Sequence, residues 1–239
     1  MNNNDDPIVV TFVAERDNPD ASIDAPDFLR NLPTAAADLK GYLGMTLPRV
    51  STMIFRLTCV PDLQRFMAIL SSPAYPQLAN AIVNVELTGF HWFSGIAHNR
   101  RVNPSLELLT SLPNVAEATI HLHSAGLTGS VWLERERLRM ENAGDLAGSK
   151  RLKVLRLSEI VAKYDLNKIF ACSALRVVNL VVFDSAEVRS HCNGMEPLSQ
   201  FRLLQNWLMT GFLNVQGRRV DVYLFKEKLV DKVKVREAI

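Results

Sequence analysis

The chain has 239 residues, 48% of them hydrophobic, enough to bury a sizeable core in one large domain or two small ones. Its 27 Lys and Arg nearly balance 25 Asp and Glu, a formal charge of +2, so no overall field draws in nucleic acid or an anionic membrane and neither is an expected partner. No apolar run reaches the roughly 18 residues of a membrane-spanning helix, and Cys59, Cys172 and Cys192, odd in number and without a CxxC pair, suit free thiols of the cytoplasm or nucleus.

The opening "MNNNDDPIVV" lacks a basic leader followed by a long apolar stretch, so a secretory signal is not expected. "DPIVVTFVAERD" reads as a strand, "RDNPDASIDAP" as a polar connection, and "DFLRNLPTAAADLKGYL" as a helix entered or interrupted at Pro33. Together residues 1–48 form an N-terminal strand and helix capping segment.

From residue 49 a short strand pattern recurs, with apolar residues at its first, fourth and sixth places. Its copies are Val50-Met53-Phe55, Ile82-Val85-Leu87, Val115-Ala118-Ile120, Leu152-Leu155-Leu157 and Leu175-Val178-Leu180, with Val222 and Leu224 as a degenerate sixth. Helix-like segments follow each copy. "PDLQRFMAIL" has Pro61 near its start and Leu63, Phe66, Met67 and Leu70 on a 3.6-residue period; "NPSLELLTSL" has Asn103 as N-cap and Pro104 in its first turn. "VWLERERLRMENA" presents a solvated charged face, "AKYDLNKIFACS" follows the fourth copy, and Leu198, Phe201, Leu204, Leu208 and Phe212 line the last helix. Strand followed by helix, repeated, predicts parallel strands joined by crossovers over residues 49–225. Residues 226–239 form a charged amphipathic tail, read as a terminal helix or a frayed end.

Two folds of the α/β class satisfy this alternation: an irregular solenoid with a mainly parallel sheet and helices on its other face, and an open doubly wound sheet. "LKVLRL" at 152–157 and "LRVVNL" at 175–180 resemble the L-x-x-L-x-L core of leucine-rich repeats, and the chain is similar to degenerate repeats of the fungal F-box-associated type. The turn Asn or Cys of that family is replaced by Thr58, Phe90, His123, Ile160 and Phe183, and residues 1–48 carry no recognisable F-box. The resemblance implies a protein-interaction scaffold or adaptor whose intervening strand positions point outward. Those positions form one row of Ile54, Glu86, Thr119, Arg156, Asn179 and Tyr223, and a second of Arg56, Thr88, His121, Ser158, Val181 and Phe225.

Several local motifs carry chemistry. In "GDLAGSKR" Gly144 and Gly148 are too close for a phosphate loop and the segment precedes a strand, so a helix C-cap is expected there and no nucleotide cofactor. His121 and His123 share one face of a strand, and His191 with Cys192 stands in a later loop; without a third neighbouring ligand no metal site is assigned. Asp184, Ser185, His191 and Cys192 are residue types of a nucleophilic site, but no G-x-S-x-G elbow surrounds Ser185, so no catalytic residue is assigned. "TGFHWFSGIAHNRR" joins four rings, Phe90, His91, Trp92 and Phe93, to Arg100 and Arg101, a loop that either caps the core or contacts a partner. The expected partner-binding residues are therefore Glu86, Thr119, His121, Arg156, Asn179, Tyr223, Trp92 and Phe93. The competing expectation is a hydrolytic or metal-dependent α/β enzyme with its site in the 121–123 and 184–192 loops, at strand C-terminal ends.

Overall fold

The structure is a computed structural model that describes residues 9–12, 44, 47–73, 75–90, 102–230 and 233–238. The helix expected over "DFLRNLPTAAADLKGYL", and Trp92 and Phe93 of the aromatic loop, lie outside the described residues.

The described chain builds a mostly parallel sheet whose strands lie in the order in which they occur along the chain. Strands β1 (Val9–Phe12), β2 (Ile54–Leu57), β3 (Asn84–Leu87), β4 (Glu117–His123), β7 (Val177–Phe183) and β8 (Asp221–Val230) are parallel neighbours. Strand β9 (Val233–Ala238) closes the sheet by pairing antiparallel with β8. Among the described strands the order never reverses, so they form no crevice of the kind at which doubly wound sheets bind ligands.

Alternation along the strands divides the sheet into two faces. Register sets Val10, Phe55, Val85, Ala118, Val178 and Val222 in one row, and Leu57, Leu87, Ile120, Leu180 and Leu224 in the next; all are buried in one core. The helices feed the same core: α1 (Leu47–Val50) through Val50, α2 (Val60–Leu70) through Leu63 and Phe66, α3 (Leu78–Ala81) through Leu78, and α4 (Pro104–Ser111) through Leu106 and Leu109. Asn103 caps α4 as expected, accepting from Ser105 N at 3.0 Å, while its Nδ2 donates to the Tyr164 carbonyl at 2.9 Å. After β3 the backbone passes so close to β2 that a Cβ on Gly89 would meet the Thr58 carbonyl oxygen at 1.8 Å; the crossing requires glycine.

The best leucine pattern in the chain is not a strand of this sheet. Residues 124–176 leave β4 and return to β7 as a long connection that packs into the same core through Leu127, Leu155, Ile160 and Tyr164, and in which β5 (Thr128–Ser130) pairs antiparallel with β6 (Leu152–Val154) as a small second sheet. Helices α5 (Glu134–Asn142) and α6 (Leu146–Ser149) lie between them, and α7 (Leu157–Tyr164) follows, then a 3₁₀ turn at Leu166–Ala171. Leu157, expected as an inward strand residue, opens α7, and Arg156 is its N-cap, with its backbone N–H donating to the Glu159 carboxylate at 2.7 Å. The repeat assigned to Leu152-Leu155-Leu157 is therefore corrected. Gly144, at φ 83°, follows the Ala143 C-cap of α5, which matches the reading of "GDLAGSKR" as a helix end.

The first copy is also displaced. Leu57, not Phe55, stands in register with Leu87, so Arg56 and not Ile54 occupies the row of Glu86. The tail is not a helix either, since residues 221–230 and 233–238 are the strands of a hairpin. Two helices complete the described chain: α8 (Ala186–Ser190) and α9 (Leu198–Gln216), whose Phe201, Leu204, Leu208 and Phe212 are buried as their spacing predicts.

Candidate functional site

The face opposite the helices carries the polar residues of the strands. Its central row runs Thr11, Arg56, Glu86, Thr119, Asn179, Tyr223, one residue from each parallel strand in register. Four of the expected partner-binding residues, Glu86, Thr119, Asn179 and Tyr223, thus stand side by side, and His121 lies two residues beyond Thr119 on the same face. Arg156 is excluded from this surface by its place at the start of α7.

The row is graded from buried to open. Glu86 is only 2% exposed and Thr119 is buried, whereas Tyr223 is 50% exposed. Asn179 Nδ2 bridges its neighbours, donating to Glu117 Oε1 at 2.6 Å and to Thr119 Oγ1 at 3.3 Å. Tyr223 and Phe225, two apart on β8, hold their ring centroids 6.4 Å apart and supply the aromatic end of the face.

Glu86 is the electrostatic centre. Val85 and Leu87 point into the core, which forces the intervening carboxylate onto the opposite face. There Arg56 Nε, directly across on β2, donates to Oε2 at 2.7 Å, and His121 Nε2 lies 2.8 Å from Oε1. Arg236, carried by β9, reaches back over the face and donates through one terminal nitrogen to the same Oε1; that nitrogen lies 3.3 Å from His121 Nε2. Burial pushes the Glu86 pKa up, but the hydrogen bonds from His121 and Arg56 and the charges of Arg236 and Arg56 outweigh it and hold the group at about 2. Glu86 is ionised throughout the physiological range. A tail expected as a terminal helix or a frayed end gives no signal of Arg236 as a partner of Glu86. Strand alternation in "KVKVRE" marks the tail as β, though not where Arg236 reaches.

A second polar cluster sits at the C-terminal edge of β4, β7 and β8. The Asp184 side chain is 0% exposed; its Oδ2 pairs with Lys226 Nζ at 3.1 Å and Arg189 Nε at 3.5 Å, while Oδ1 is buried without a hydrogen-bond partner among the described residues. His123 accepts from Ala125 N at Nδ1 and packs against the Phe183 ring at 4.9 Å. Burial lowers its pKa, opposed by the charge of Asp184.

The other residues of the nucleophile reading are not assembled with these. Ser185 Oγ accepts from Val188 N at 3.4 Å as the cap of α8, His191 Nδ1 meets the Glu187 carbonyl at 2.7 Å, and Cys192 Sγ donates to the Val188 carbonyl at 3.1 Å. His191 instead lines an open groove of about 490 Å³ with Ser149 and Lys150 of the "GDLAGSKR" segment. Among the described residues no three His, Cys, Asp or Glu side chains gather as a metal would need, and no helix is long and apolar enough to cross a membrane. Of the aromatic loop, Phe90 is 1% exposed and stacks on Tyr164 at 5.5 Å, so this ring caps the core.

Searches of family models, of curated proteins and of solved structures find no match to this chain.

Proposed function

We propose that the protein is a non-enzymatic interaction scaffold or adaptor that binds a partner protein through the polar face of its sheet. The observation that carries this reading is the division of labour between the two faces: one is filled by core residues from every parallel strand, while the other presents an in-register polar and aromatic row that opens toward Tyr223. A flat row of charge, amide and aromatic groups suits a protein surface better than an enclosed small-molecule pocket. Strand order that follows chain order supports the irregular leucine-rich-repeat-like solenoid as the architecture behind this face. Three unpaired cysteines support a reducing compartment, the cytoplasm or nucleus.

The test is affinity capture with the full-length chain, identification of the captured protein by mass spectrometry, and measurement of the purified pair. A partner whose affinity falls at least tenfold on Asn179→Arg with Tyr223→Arg supports the reading. Partners bound equally by the variant, or none at all, overturn it.

The enzyme reading keeps one observation in its favour, the buried and incompletely bonded Asp184 beside His123 at the strand C-terminal ends. It lacks a nucleophile held by a base, because Ser185 and His191 are each engaged with their own helix turn.

A further inference from the structure

We infer that Glu86 and His121 form a receptor for an arginine side chain of a partner protein, and that Arg236 of the chain's own C-terminal hairpin occupies that receptor in the free protein. The inference rests on the proposed binding at the polar face and names the chemistry that would be bound there.

The receptor is built from groups fixed by the sheet. Glu86 and His121 belong to adjacent parallel strands whose flanking residues are locked in the core, so the carboxylate and the ring keep their places whatever the hairpin does. Arg56 engages Oε2 from the neighbouring strand, and Oε1 is the oxygen that accepts the second guanidinium. With Arg236 withdrawn, the row of Glu86 and the row beside it hold Glu86 and Glu117 against Arg56, while Asp221 is paired with Arg219 at 3.1 Å. A planar guanidinium, always charged and weakly hydrated, is the cation best suited to such a buried carboxylate; a compact, strongly hydrated ammonium is a poorer fit.

Arg236 behaves as an exchangeable occupant. Its side chain is 41% exposed where that of Glu86 is 3% exposed, so it enters the receptor from solvent. Among the described strands β9 pairs only with β8, and neither Arg236 nor Ala238 belongs to the core. The hydrogen-bond count at the seat is also imperfect. A separation of 2.8 Å between His121 Nε2 and Glu86 Oε1 needs a proton between them; carried on Nε2, it leaves that nitrogen no lone pair for the Arg236 N–H groups 3.3 Å away, so donor faces donor. An incoming arginine that meets Oε1 without crowding His121 replaces this contact on better terms. An internal occupant of this kind lowers apparent affinity for the partner by the fraction of time the receptor is filled.

The experiment uses a fluorescein-labelled peptide of sequence VKVREA, that of residues 233–238, and the same peptide with neutral, near-isosteric citrulline in place of arginine. Fluorescence anisotropy is measured with the full-length protein, Arg236→Ala and the double variant Arg236→Ala with Glu86→Gln, each checked for native circular dichroism. The expected result is about tenfold or greater tightening of the arginine peptide on Arg236→Ala, loss of that gain in the double variant, and no comparable gain for the citrulline peptide. Equal binding to wild type and Arg236→Ala, or equal binding of the two peptides, overturns the inference. The two proposals fail separately. A captured partner that depends on Tyr223 yet binds wild type and Arg236→Ala alike removes the arginine receptor and leaves the face reading standing. Arginine-dependent peptide binding without any Tyr223-dependent partner does the reverse.

Discussion

Phe170 lays its ring against helix α9 at Gly211, where a Cβ would come within 2.1 Å of the ring's Cζ. The same ring meets Trp207 and Phe212 at centroid distances of 5.0 Å, so it has little room to retreat. On an exposed helix, Gly→Ala gains about 1 kcal/mol from propensity. Here overpacking decides the sign, and Gly211→Ala is expected to destabilise by about 1–3 kcal/mol in urea unfolding. Adding Phe170→Leu should recover part of the loss, and strict additivity of the two changes would show that the clash is not the cause.

Glu86 predicts a pH window. Its folded pKa of about 2 lies below the ordinary 4.5, so the stability it contributes is fully present above 4.5 and is lost as pH falls through the folded value. Glu86→Gln should cost up to about 3 kcal/mol at neutral pH, less where solvent screens Arg236. The difference between wild type and variant should shrink steadily from about pH 4.5 toward pH 2. A gap independent of pH would assign the cost to shape instead of charge.

Arg218 ties the end of α9 to the chain entering β7. It donates to the Cys172 carbonyl at 2.8 Å, to Gln216 Oε1 at 2.5 Å and to the Leu175 carbonyl, and its guanidinium lies 5.5 Å from the Phe212 ring centroid. Arg218→Ala leaves these acceptors to find water, at an expected cost of about 2–4 kcal/mol in thermal or urea melts. Arg218→Lys should restore only a minor part, because an ammonium cannot span the three acceptors as a planar fork does.

The thiols should be silent in the native protein. Burial pushes Cys172 up to about 11, opposed by Arg218, and it raises Cys192 and Cys59 as well. At pH 8, thiol titration of the folded chain is expected to be slow, led by the half-buried Cys59, with all 3 reacting once urea unfolds it. Rapid native labelling at Cys172 would contradict its packing.

Much of the sheet is legible in the sequence. Ile82-Val85-Leu87, Val115-Ala118-Ile120, Leu175-Val178-Leu180 and Val222 with Leu224 stand in the true register, because an inward triplet must be apolar wherever helices cover one face. The first copy slipped by two residues, a shift that preserves alternation and so leaves the faces right and the row wrong. "LKVLRLSEIV" misleads for a different reason: leucine serves a strand and a helix equally, and Glu159, three residues beyond Arg156, is the signal that a helix begins there. Of the candidate site, Glu86, Thr119, His121, Asn179 and Tyr223 were readable from spacing. Arg236 was not, since the hairpin returns it to a strand 150 residues away in the chain.

Because spatial order and chain order coincide across the parallel strands, each strand emerging from the ribosome finds its sheet neighbour already made. Synthesis need leave no slot open for a later strand to thread, as a sheet with reversed order must. The connection at residues 124–176, with its own strand pair, must be completed or set aside before β7 reaches β4. Strand β9 follows all of the parallel strands, so Arg56, Glu86 and His121 are in place before Arg236 reaches them.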